Sequence, residues 1–158
     1  MIIEFERSTV EDSEEILSLI NALSREWMSR IIPKEHFREP FLTHEQVEKM
    51  GTYMEFHVLR AEEKIIAVGS FGTLDEHTAW IPLMYVASKF HRQGIGSALV
   101  KHLEGIARKQ HFSKVRLETD SGAHWALSFY EKHGYSIVAK EKNPWGYHVW
   151  LEKALPDK

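Results

Sequence analysis

The sequence contains no cysteine. That absence excludes a disulfide scaffold, a thiolate metal site and a cysteine nucleophile together. Long apolar runs are missing as well, and no stretch approaches the roughly 18 residues that read as a membrane-spanning helix. The first residues, MIIEFERSTVEDSEE, carry acids where a secretory leader needs a basic region followed by an apolar one. The expectation is a cytoplasmic protein with no membrane contact. Positive charge is not in surplus either: the net charge is −3, which argues against nucleic acid as the main partner. Ten histidines invite a metal site, yet no two lie three or four positions apart and HExxH is absent. No metal is expected.

What remains is ordinary globular material. At 158 residues the chain is about one domain long, enough to bury roughly two thirds of its unfolded surface. No repeat, low-complexity tract or linker interrupts it, so one domain over residues 1–158 is expected. Ile2–Glu6 alternates apolar and polar residues like a half-buried strand. Ser8-x-x-Glu11 reads as a capping box, followed by Ile16, Leu17, Ile20, Leu23 and Trp27 at helical spacing. That helix should end near Ile31, ahead of Pro33. Thr43 caps a second short helix, Glu45–Met50, with Gly51 just beyond it.

Strands are predicted over Met54–Ala61 and Lys64–Phe71, joined by an acidic turn at Glu62 and Glu63. A further strand covers Ala79–Ala87. Its Pro82 suits a bulge or a place where neighbouring strands part. Ile95–Gln110 reads as an amphipathic helix, with Ile95, Ala98, Leu99, His102, Leu103, Ile106 and Ala107 on one stripe. Lys101, Glu104, Arg108 and Lys109 fall mostly on the opposite face. A strand at Lys114–Thr119, a short helix at His124–Lys132 stopped by Gly134, and strands at Tyr135–Glu141 and Tyr147–Glu152 around the turn Asn143-Pro144-Trp145-Gly146 complete the chain. This order implies a mixed α/β (α+β) architecture, a central sheet of about seven strands flanked by helices.

The most informative segment runs from Met84 to Ser97: strand, loop, two glycines, helix. The first N–H groups of a helix lack internal partners, and the macrodipole places partial positive charge there. Glycines at 94 and 96 let the backbone approach an anion, so successive N–H groups can converge on a phosphate or pyrophosphate. Arg92 adds charge. Two glycines alone are equally compatible with a plain tight loop. A P-loop reading fails, because Ser97 and Ala98 follow Gly96 where Lys and Ser/Thr are needed. The dinucleotide fingerprint fares poorly too: Leu99 stands at its third glycine, and Gly94 lies eight positions beyond Val86. Glu118 could stand in for that fingerprint's acidic partner.

The segment Val86-x-x-x-Phe90-His91-Arg92-Gln93-Gly94-Ile95-Gly96-Ser97-Ala98-Leu99 resembles the acetyl-CoA motif of the GNAT N-acetyltransferases, Arg/Gln-x-x-Gly-x-Gly/Ala. A second motif of that family, Ala126-x-x-Phe129-Tyr130-Glu131-Lys132-x-Gly134-Tyr135, follows at the matching distance, and the order of elements agrees over essentially the whole chain. Two departures stand out. His91 replaces the usual Arg or Gln, and Ala123 replaces a CoA-contacting Asn found in many members, a role His124 could take over.

The resemblance implies a GNAT-like acyl-CoA N-acyltransferase fold with a splay between the fourth and fifth predicted strands. It implies acetyl-CoA as co-substrate, its pantetheine arm bonded by Val86, and an N–H near Met84 polarising the thioester carbonyl. The pyrophosphate would lie on His91, Arg92, Gln93, Gly94, Ile95, Gly96 and Ser97. Tyr130 matches the family's general acid beside the CoA sulfur. Without a cysteine, direct attack by the amine is favoured over an acyl-enzyme. Glu118, twelve residues before Tyr130, matches a catalytic Glu of enzymes that acetylate ribosomal-protein N-termini, which the segment resembles. A salt-bridged strand residue, paired with Arg116 or Lys114, is the equally open alternative. Asp120 and His148 are weaker candidates for the base.

Ser97 lies outside any GxSxG and is not expected to be a nucleophile. Trp27, Phe37, Phe41, Trp80, Trp125 and Trp145 could line an acceptor pocket, although large aromatics more often belong to a core. The acceptor stays open between a small amine and a peptide N-terminus, with selectivity expected from Met28–Tyr53 and the last strands. A homodimer is compatible with the resemblance. The competing reading is a non-catalytic acyl-CoA-binding sensor, with a dinucleotide oxidoreductase as a distant third.

Overall fold

The computed structural model describes residues 2–156, so the outermost positions of the expected 1–158 domain lie outside the described residues. The elements, in order, are β1 (Glu6–Arg7), α1 (Ser13–Trp27), α2 (His44–Met50), β2 (Met54–Ala61), β3 (Lys64–Asp75), β4 (Thr78–Ile81), β5 (Met84–Val86), α3 (Ile95–Lys109), β6 (Lys114–Asp120), α4 (His124–Lys132), β7 (Ser136–Asn143) and β8 (Gly146–Ala154). All strands join one sheet, ordered β1-β2-β3-β4-β6-β8-β7, with β5 attached to β3 alone. Every pairing is antiparallel except β4 with β6. Among the described residues no helix is long and apolar enough to cross a membrane.

Helices cover both faces of the sheet. On one face, Ile16 and Ile20 of α1 and Val47 of α2 pack on Met54, Phe56, Val58, Ile65 and Val68. On the other, Leu99, Val100, Leu103 and Ala107 of α3 and Tyr130 of α4 bury Ala79, Ile81, Val115, Leu117, Val149 and Leu151. Helix α3 lies close to β3 because Gly69 is there. A Cβ at that position would stand 2.9 Å from a methyl of Leu103 and 3.1 Å from one of Leu99.

Several expectations need correction. The predicted strand Ile2–Glu6 is reduced to Glu6–Arg7, and Ile2 is 80% exposed; alternation without a face to bury does not hold a strand at an edge. The capping box sits one residue later than read: Asp12 accepts from the Thr9 N–H at 2.9 Å, and Arg60 donates to Asp12 at 2.6 Å and to Glu6 at 2.7 Å. The Ala79–Ala87 strand is two strands, which raises the count to eight. The acidic turn is tight as expected, with Glu62 and Glu63 both at positive φ (52° and 67°).

Glu104 is also misplaced by helical periodicity. It is 2% exposed, where it accepts from the Tyr135 hydroxyl at 2.8 Å and from Lys153 Nζ at 3.1 Å. The partners that make its burial tolerable come from elements 31 and 49 residues away, so the helix sequence alone does not reveal them.

A second buried polar chain joins β2 to α3. Glu55 Oε1 accepts from His57 Nε2 at 2.8 Å, which leaves His57 Nδ1 to accept from His102 Nε2 at 3.0 Å. The ring of Phe5 lies 5.1 Å from that of His102. Burial, then the neighbouring His57 and Lys109, hold His102 below the ordinary imidazole range. The unfolded chain accepts this proton near pH 6.5 while the fold resists it. The unfolded state therefore binds more protons as pH falls through that value, and stability declines. Urea denaturation at pH 7.5 and 5.5 should show a larger loss of stability for the native sequence than for His102→Gln.

Candidate active site

The site starts at Pro82. Strand β4 pairs with β6 through Trp80↔Arg116 and Ile81↔Leu117, and pairing stops there. Proline cannot donate to a ladder. At the break, Leu83 N–H donates to Ser70 Oγ at 3.0 Å and Ser70 N–H donates to the Leu83 carbonyl at 2.9 Å. Beyond it β5 follows β3 (Met84↔Gly69, Tyr85↔Val68, Val86↔Ala67), whereas β6 continues along β8 through Glu118↔Trp150, Thr119↔Val149 and Asp120↔His148. The two strands diverge at the place the sequence indicated.

Strand alternation decides which groups line the gap. The Leu83 carbonyl and the Ala87 N–H (2.8 Å to the Ile66 carbonyl) face β3, so Met84 and Val86 turn their N–H and C=O groups away from it, into the gap. One of these groups is already engaged: His91 Nε2 donates to the Val86 carbonyl at 2.7 Å.

At the end of β5 the chain turns through Ser88–Phe90 and reaches Arg92 at φ +66° and Gly94 at φ +78°. The first intrahelical bond of α3 runs from Ala98 N–H to the Gly94 carbonyl. The amides of Ile95, Gly96 and Ser97 are therefore the unpaired donors of the helix start. No acidic side chain occupies that first turn, which leaves the dipole end free for an anion. The Ser97 hydroxyl is not free: it lies 3.0 Å from His133 Nε2, and the His133 ring stacks on Phe129 at 4.4 Å.

An aromatic group closes one side. Trp27 sits 5.7 Å from the His91 ring and 5.5 Å from Trp125, under the guanidinium of Arg30 at 4.5 Å. Its indole donates to Ser88 Oγ (3.0 Å), which donates to Glu26 (2.8 Å). His124, the first residue of α4, is exposed beside Trp125. The expectation that large aromatics are mostly core is corrected here. Phe41 and Trp80 pack against a core only in part, while Trp27, Phe37, Trp125 and Trp145 belong to none.

Tyr130 and Glu118 lie on opposite faces of the sheet. Tyr130 belongs to the core beneath α3 and α4. Burial, then the nearby Tyr85 hydroxyl, push its phenol well above the ordinary range, so it stays protonated at neutral pH. Glu118 comes directly after the last β4–β6 rung, on the other face and half-buried. Trp80 Nε1 donates to its Oε2 at 3.2 Å, and His148 Nε2 lies 3.3 Å from its Oε1. Neither Arg116 nor Lys114 pairs with it; both approach Glu152, at 3.8 and 3.6 Å. The indole contact is the feature sequence reasoning missed, because only the parallel register brings residues 80 and 118 together. Asp120 is occupied structurally, accepting from Gly122 N–H (2.9 Å) and from Trp145 Nε1 (2.6 Å). It ties the β7–β8 turn to β6, and His36 meets Trp145 at 5.4 Å, so the α1–α2 connection and the last hairpin converge above the gap.

The sequence model of the Acetyltransferase (GNAT) family matches residues 17–135, more than half of the chain. Among solved structures, the PaiA N-acetyltransferase of Thermoplasma acidophilum in complex with coenzyme A is 19% identical, with a TM-score of 0.80 over 98% of this chain and 100% of that one. Ard1 of Thermoplasma volcanium is 19% identical, with a TM-score of 0.76 over 99% and 100%. A GNAT family acetyltransferase of Elizabethkingia anophelis with acetyl-CoA bound is 20% identical, with a TM-score of 0.71 over 97% and 98%. At such identities the likeness shows the fold. No curated protein matches the sequence.

The two loop glycines should behave differently on substitution. A Cβ at Gly94 meets nothing within 4 Å, so Gly94→Ala carries only the left-handed backbone cost, about 1–2 kcal/mol. At Gly96 the backbone is helical and a Cβ meets Phe129 at 3.4 Å. The helix-propensity gain then offsets the tight contact, and Gly96→Ala should lie within about 0.5 kcal/mol of the native protein. Urea denaturation midpoints of the two variants check the contrast.

Proposed function

The chain belongs to the acetyltransferase (GNAT) family, and from that premise we propose that it transfers the acetyl group of acetyl-CoA to a primary amine by direct attack within a ternary complex. One acetyltransferase domain spans the chain in this reading. The observation that carries it is the free inner edge of β5: Met84 and Val86 offer backbone groups to a gap that no strand fills, and the unpaired amides of α3 open at one end of it. An extended amide-bearing arm joined to a pyrophosphate is the ligand such an arrangement suits.

Acetyl-CoA, when bound, supplies the activated thioester. The residues of the chain do the rest. Ile95, Gly96 and Ser97 offer amides to the pyrophosphate, and Arg92 adds charge beside them; His91 and Gln93 flank that loop, and His124 stands at the start of α4. Val86 holds the arm once His91 releases its carbonyl. The Met84 N–H, directed into the gap, would meet the carbonyl oxygen of the thioester, where a fixed donor contributes roughly 3–4 kcal/mol to lowering the barrier. Holding the amine against the thioester adds a further large share.

Proton traffic divides between the two faces of the sheet. Tyr130 keeps its proton in the apolar core and is suited to deliver it to the departing sulfur. Glu118 takes a proton from the incoming amine, directly or through water, and His148 is placed to pass it on to solvent. The sequence contains no cysteine to act as a nucleophile, in keeping with direct attack.

A thermal-shift titration tests the donor. Coenzyme A or acetyl-CoA at about a hundred times its dissociation constant should add roughly 2.7 kcal/mol, which is about 5–11 °C for a chain of this size; NADH should add nothing. Absence of a shift with either CoA species sinks the proposal. Once an acceptor is in hand, Tyr130→Phe should lower kcat by roughly 10- to 100-fold, and Glu118→Gln should do the same. A Tyr130→Phe variant with native turnover would remove the tyrosine from the mechanism.

A further inference from the structure

The open half of the sheet carries a second feature that the acetyl-donor site does not use. Rungs Trp80↔Arg116 and Glu118↔Trp150 place four side chains on the face opposite α3 and α4. With Leu74 they line a depression of about 400 Å³, near the small end of the range for small-molecule sites. Helices α1 and α2 cover the other half of this face and leave this half open.

Its chemistry is mixed in a specific way. The walls are two indoles. Glu118 stands at the end nearest the gap, where an amine must arrive. Arg116, two positions earlier on the same strand, lies roughly 7 Å away at 3.3 Å per residue. Its Nε–H is buried without a hydrogen-bond partner among the described residues. Its ion-pair partner Glu152 stands 3.8 Å off, beyond hydrogen-bond reach, and is shared with Lys114 at 3.6 Å. The guanidinium lies 5.8 Å from the Trp150 ring. A guanidinium with an unspent Nε–H beside an aromatic wall suits a carboxylate.

We infer that this depression is the acceptor site and that the acceptor is a free α-amino acid with an apolar or aromatic side chain, its carboxylate held by Arg116 and its amine presented to Glu118. The inference rests on the acetyltransferase reading and names the amine that reading leaves open. The amine lone pair forms the new N–C bond as the C–S bond of the thioester breaks. The amine proton leaves through Glu118 to solvent, the sulfur takes a proton from Tyr130, which solvent returns to it, and the products are an N-acetyl amino acid and free coenzyme A. The side chain lies between Trp80 and Trp150.

The test uses the full-length protein. Binding of coenzyme A is measured first by calorimetry. Thiol release with acetyl-CoA is then followed for L-tryptophan, L-phenylalanine and L-leucine, their amides, spermidine and a tripeptide, with products identified by mass spectrometry. The free acids should exceed their amides in kcat/KM by tenfold or more. In Arg116→Gln that preference should fall towards one while coenzyme A affinity stays within about twofold; Arg116→Lys, which keeps the charge but not the fork, should retain part of it. Equal use of acids and amides, preference for spermidine or the tripeptide, or an acid preference that survives in Arg116→Gln overturns the inference. So does coenzyme A binding without acetylation of any of the three amino acids. Failure of the native protein to bind coenzyme A overturns the underlying reading instead, and the calorimetry distinguishes the two.

Discussion

Buried backbone groups have to be paired, and in this protein the inner edge of β5, within the sheet rather than at its margin, is left without a neighbouring strand. Met84 and Val86 point amides and carbonyls into the gap between β5 and β6, and among the described residues only the Val86 carbonyl has a partner, the His91 imidazole. Leaving polar backbone unsatisfied in a protein interior costs about 1–3 kcal/mol per group, so the gap must be filled by water or by something shaped like a strand. The surrounding features follow from this. Pro82 ends the β4–β6 ladder, Ser70 absorbs the bulge at Leu83, and β8 carries β6 onward so that the sheet does not close again. The phosphate-suited loop opens at the end of the same strand because β5 runs through one turn directly into α3.

The sheet then separates two protonation environments by the thickness of a single layer. Tyr130 belongs to the same core cluster as Leu99, Leu103 and Leu117, where desolvation disfavours a phenolate. Glu118, one face over, is held by an indole N–H and an imidazole at the edge of solvent.

Stability and function draw on different parts of the molecule. The buried Glu104–Tyr135–Lys153 cluster and the Glu55–His57–His102 chain tie α3 to strands on either side of it. Both clusters lie along the body of α3, away from the amides at its first turn. Helix α3 is thereby anchored along its length while its N-terminus stays free to meet an anion, the kind of support that holds a binding backbone in position.

Much of this was legible in the residues themselves. The glycine loop before an amphipathic helix, the Tyr130 motif, the strand periods and the break at Pro82 are all local: each depends on backbone preferences or side-chain spacing within about 15 residues. The tertiary structure alone decided which edge of β5 is free, that His91 sits on the Val86 carbonyl, that Trp80 and His148 hold Glu118, and that Glu104 is interior. Those facts depend on strand register and helix docking between segments tens of residues apart. Periodicity tells which face of an element is apolar; it carries no record of which distant polar group will stand opposite.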